Sequence, residues 1–76
     1  MDAAAAEATI CALITDVRSR LDEAAGIAKA AESCAESGNV VYAVQILMDF
    51  EGLAHDAQDL FKAALTIRRH LLPDQA

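Results

Sequence analysis

The apolar residues of this chain recur in alternating steps of four and three over almost its whole length. Ile10, Ile14, Val17, Leu21, Ala24, Ala28, Ala31 and Ala35 form one ladder. Ala43, Ile46, Phe50, Leu53, Ala57, Leu60, Ala64, Ile67 and Leu71 form a second. Such steps hold side chains on one stripe of an α-helix, and a stripe this long is the seam of a coiled coil. The strict alternation that a strand needs never persists. Between the ladders lies Glu36-Ser37-Gly38-Asn39. Gly38 suits the left-handed backbone that ends a helix. Asn39 suits the N-cap of the next one.

The spacing therefore predicts an all-α fold: a helix over 3–37, a loop over 37–39 and a helix over 40–72, in one helical-hairpin domain covering 1–76. Leu72-Pro73 closes the second helix, because a residue before proline resists the helical region. Asp2 and Glu7 suit the positive end of the first helix, and Arg68, Arg69 and His70 the negative end of the second. A short loop makes the two arms antiparallel neighbours. Folding there sets Ala31 against Ile46, Ala28 against Phe50, Ala24 against Leu53 and Leu21 against Ala57, so large faces small. The same fold brings Arg20 beside Asp56. A break near Gly26 would give a three-helix bundle instead; continuity of the ladder through Ala24 and Ala28 favours one helix. The stretch from Ala35 to Ala43 resembles the turn between helices of tetratricopeptide repeats, but no second repeat follows and nothing of that family carries over.

Eighteen of the 76 residues are Ala, so the bulky core stock is modest although 55% of the chain is hydrophobic. Chains this short usually need a disulfide, a metal or self-association. A lone hairpin also leaves apolar residues over. Leu13 and Ile27 flank the first ladder, and Val44, Leu47, Phe61, Leu65 and Leu72 flank the second. These seven are the expected interface of a homodimer, two hairpins closing into a four-helix bundle.

The net charge of −6 disfavours nucleic acid and anionic membranes as partners. No apolar run is long enough to span a bilayer, and Asp2 sits where a secretory signal carries basic residues. The expected location is the cytoplasm, where Cys11 and Cys34 stay free thiols. If the first helix pairs antiparallel with its own copy, Cys11 of one chain faces Cys34 of the other.

Little in the chain points to catalysis. Glu51, His55 and Asp59 share a helix face at four-residue spacing and are weak candidates for a metal; a solvated face is the better explanation, since acidic helices generate this spacing freely. The first helix has no His, so the paired Glu-x-x-His signature of di-iron bundles is missing. No catalytic residue and no cofactor is expected. The reading is a small cytoplasmic protein–protein interaction or regulatory module, not an enzyme, acting as a homodimeric bundle with itself and another protein as partners. Alternatives are a metal- or ligand-binding bundle and an acidic decoy of a nucleic-acid-binding protein.

Overall fold

A computed structural model describes residues 2–72 of the chain. Three helices follow one another: α1 (Ala3–Glu36), α2 (Val40–Leu47) and α3 (Phe50–Leu71). Among the described residues there is no strand. The chain reverses once, after α1, and α1 packs against both α2 and α3. The result is a rod of 54 × 17 × 14 Å.

Each end of α1 is capped by the residue whose chemistry suits it. The Asp2 carboxylate accepts a 2.7 Å hydrogen bond from the Ala5 amide, which satisfies a free N–H of the first turn. At the other end Gly38 takes φ +96°. Its amide donates to Ala35 O at 3.0 Å, and the Asn39 amide donates to Cys34 O at 3.2 Å. That pair of bonds is the Schellman arrangement, which requires a left-handed residue at this point. The Asn39 side chain then accepts from the Tyr42 amide at 3.4 Å and starts α2.

Gly26 does not break α1, so the three-helix alternative is set aside. A Cβ at Gly26 would meet nothing within 4 Å; the position is open, and its cost is only the lower helix propensity of glycine. Covered residues on both sides, Ala24 and Ile27, hold the helix straight through it.

The interruption falls instead in the second arm. The helix expected over 40–72 is divided at Met48-Asp49. There the Asp49 amide bonds Ile46 O at 3.3 Å and the Glu51 amide bonds Met48 O at 3.4 Å. These are i→i−3 bonds, an overwound turn of the 3₁₀ kind. Asp49 and Gly52, both poor helix formers, flank this turn. Both Met48 and Asp49 keep right-handed helical backbone, so the arm continues in the same direction. α3 ends at Leu71 with Leu72 as its cap; Pro73 lies outside the described residues.

The inward stripe of the second arm is the one expected, with Ala43 and Ala57 buried and Ile46, Leu53, Leu60, Ala64 and Ile67 half-buried. Phe50 and Leu71 hold their places in that ladder but remain exposed. α1 is turned differently. Its covered stripe runs through Ala6, Ile10, Leu13, Val17, Arg20, Ala24, Ile27, Ala31 and Cys34. It shares Ile10, Val17, Ala24 and Ala31 with the expected ladder and replaces the other half. Ile14 and Leu21 are left 59% and 53% exposed. The change rotates α1 by about 50° about its axis.

Two residues explain the rotation. Extended towards the N-terminus, the expected ladder reaches Glu7, whereas the observed one reaches Ala6, which is completely covered. Arg20 lies in the observed stripe with its guanidinium 3.9 Å from the Asp56 carboxylate. Its aliphatic stem fills a seam position while its charged head reaches the edge. The expected neighbourhood of Arg20 and Asp56 is thus present.

Candidate interaction surface

The hairpin has two unlike sides. Residues seven apart on a packed helix lie on one line. On one side α1 presents Thr9, Asp16, Glu23 and Ala30, and the other arm presents Tyr42, Asp49, Asp56, Ala63 and His70. On the opposite side α1 presents Ile14, Leu21, Ala28 and Ala35, and the other arm presents Val40, Leu47, Ala54 and Phe61. Charges enter this second side at its open end, as Glu7 and Arg68, and near the loop, where Glu32 stands among the alanines of α1.

Two grooves confirm that these lines share a side. The first, about 380 Å³, lies near the loop between Ala28, Ala31, Glu32 and Ala35 of α1 and Val40, Val44 and Leu47 of α2. Alanines form its floor on one bank, and the valines and leucine rise as a ridge on the other. The second, about 230 Å³, lies near the open end between Ile10 and Ile14 of α1 and Phe61, Ala64 and Leu65 of α3, with Arg68 at its edge.

Five alanines are the only buried side chains among the described residues. The chain exposes 5516 Å², against about 4,400 Å² for a compact monomer of its mass. Its radius of gyration is 17.0 Å, against about 11 Å for a compact domain of this length. The surplus of roughly 1,000 Å² follows from the elongated shape.

Of the seven residues expected at an interface, Val44, Leu47 and Phe61 are exposed on the apolar side. Leu65 is half-buried beside Phe61, and Leu72 is half-buried at the end of α3. Leu13 and Ile27 belong to the stripe between the arms, so they are seam residues of the hairpin itself. Ile14 and Leu21 take their place on the free surface. The signal that separates the two sets is the choice between Ala6 and Glu7, and it was available in the sequence.

The polar candidates do not converge. His55 Nε2 lies 3.4 Å from Asp59 Oδ2, an ion pair only when His55 is protonated. Among the described residues no three His, Cys, Asp or Glu side chains gather as metal ligands. Glu51 therefore does not complete a set, and the metal-binding alternative gains no support from it. Cys34 is half-buried and its thiol donates to Asn39 O at 3.4 Å, whereas Cys11 is exposed. One thiol lies in the seam and the other outside it, so the Cys11–Cys34 pairing between copies loses its common face. Among the described residues no helix is long and apolar enough to cross a membrane.

No protein-family model, curated protein or solved structure matches the chain. The functional reading rests on the surface alone.

Proposed function

We propose that this chain is a protein–protein interaction module that works as a homodimeric helical bundle in the cytoplasm, with no catalytic chemistry of its own. The observation that carries the reading is the sidedness of the hairpin: one side is apolar from Ile14 to Ala35 with Glu32 at its edge, and the other carries Asp16, Glu23, Asp49 and Asp56. Contiguous exposed apolar surface of this extent marks an interface. From Ile14 to Ala35 the apolar stretch is about 32 Å long at 1.5 Å per residue; across the 17 Å width of the rod it presents about 540 Å² per chain, or about 1,100 Å² for a pair, at the small end of specific interfaces.

The adaptor element of the reading rests on α2. Its eight residues, Val40–Leu47, carry no charge. Val41 is 86% exposed and Met48 62%, and both lie on the outer side of the arm, away from seam and groove. Closure of the apolar side leaves them open to a different protein.

Light scattering at micromolar concentration tests the first step. The expected mass is twice the 8.0 kDa of the chain. A monomer across that range overturns the reading.

A further inference from the structure

We infer that the partner seated on the apolar side is a second copy stacked with its loop at the same end, α1 of each chain lying over α2 and α3 of the other. The inference rests on the homodimer reading and adds its geometry. Two-fold closure of two flat hairpins, apolar side to apolar side, has two solutions. With the axis along the rod, α1 crosses to the other arm of its partner and the loops coincide. With the axis across the rod, α1 lies on α1 and each loop meets an open end.

The surface favours the first solution at all levels but one. Along the apolar side both arms advance in sevens, so same-end stacking brings matched residues together in order. Glu7 meets Arg68 of the copy, opposite charges at the open end. Leu21 meets Ala54 and Ala28 meets Leu47, large on small, as interdigitating layers require. Near the loop the ridge of Val40, Val44 and Leu47 drops into the copy's trough of Ala28, Ala31 and Ala35, with Glu32 at the trough's edge, and the two-fold axis repeats the fit. Only the layer of Ile14 and Phe61 puts large on large, and there the second groove supplies the room.

The second solution loses these matches. It sets Glu7 over Ala35 and Arg68 over Val40, each charge against an apolar surface, which costs desolvation without a partner. It also stacks Leu21 on its own copy.

The two solutions place the loops very differently, so a distance decides. Cys11 and Cys34 are replaced by Ser, and Glu36→Cys, exposed at the last residue of α1, carries a nitroxide label. Light scattering is run on the same sample. In the same-end dimer, helix spacings of about 8–10 Å bring the two labels within about 30 Å by pulsed dipolar EPR. In the alternative they stand near the 54 Å length of the rod. A dimer with the short distance supports the inference. A dimer with the long distance overturns it and leaves the homodimer reading standing. A monomer overturns both. Ala4→Cys, exposed at the other end of α1, gives the same decision if the Glu36 variant folds poorly. The variant Val44→Glu, which places a charge on the ridge, shifts the scattering mass towards the monomer; an unchanged dimer overturns the ridge-and-trough fit.

Discussion

The half of the hairpin near the loop and the half near the open end are built on the same repeat but fill it differently. Near the open end the seam holds Ile10, Leu13, Val17, Leu60 and Ile67, all half-buried between the arms. Near the loop the fully covered positions are Ala24, Ala31 and Ala43, Ile27, Ile46 and Leu53 are half-buried, and further bulk stands outside on Val40, Val41, Val44, Leu47 and Met48. Alanines let two backbones approach closely, but each buries little apolar area. The loop half therefore depends more on its caps: the Gly38 turn, the Asn39 side chain and the Ser37 hydroxyl, which donates to Cys34 O at 2.8 Å. Shape near the loop is held by local hydrogen bonds. Stability near the open end comes from burial.

The largest effect that sharpens this contrast is a truncation in the open half. Leu13→Ala removes a half-buried side chain from the seam and should cost about 2 kcal/mol, at the lower end for leucine truncations. Val41→Ala, in the loop half and almost fully exposed, should stay within about 0.5 kcal/mol. Chemical denaturation of the two variants at equal chain concentration compares them; the reverse ranking would assign bulk burial to the wrong half.

A smaller effect tests the cap. Gly38→Ala forces a side chain onto φ +96° and should cost about 1–2 kcal/mol, read as a lower melting temperature. Equal melting temperatures would mean that the turn does not hold the loop half together.

The smallest effect has the opposite sign. Gly26→Ala sits in open space in the middle of α1 and should stabilise by about 0.4–1 kcal/mol, largely by restricting the unfolded chain. A loss of stability there would show that the middle of α1 needs a flexible joint, and the two halves would no longer share one continuous helix.

Much of the fold was legible in the sequence because a heptad repeat fixes both helix and seam at once. The loop at Gly38-Asn39 was legible because few residues accept positive φ or cap an N-terminus. The rotation of α1 was harder. Ile14 and Leu21 are as apolar as Leu13 and Ile27, so hydrophobicity alone leaves the two stripes tied, and Arg20 counts against the stripe that is used. The tie breaks only on Ala6 against Glu7 and on the reach of Arg20 to Asp56 across the hairpin. The turn at Met48-Asp49 was hidden for a related reason: the apolar spacing runs through it undisturbed, and only the backbone bonds record it. Of the surface, Val44, Leu47 and Phe61 stand out as excess apolar residues. Ile14 and Leu21 do not, because the apolar spacing alone places them in the seam.

The five buried alanines carry a consequence for the life of the protein in a cell. A chain whose enclosed core is this thin has little margin against unfolding by itself. If folding is completed by pairing, mass action sets the folded fraction, and each tenfold fall in chain concentration removes about 1.4 kcal/mol per dimer. Unpaired chains spend more time open and are cleared sooner by proteases. Dosage then becomes a control in its own right: below a threshold of synthesis the protein is degraded as fast as it is made, and above it the population persists.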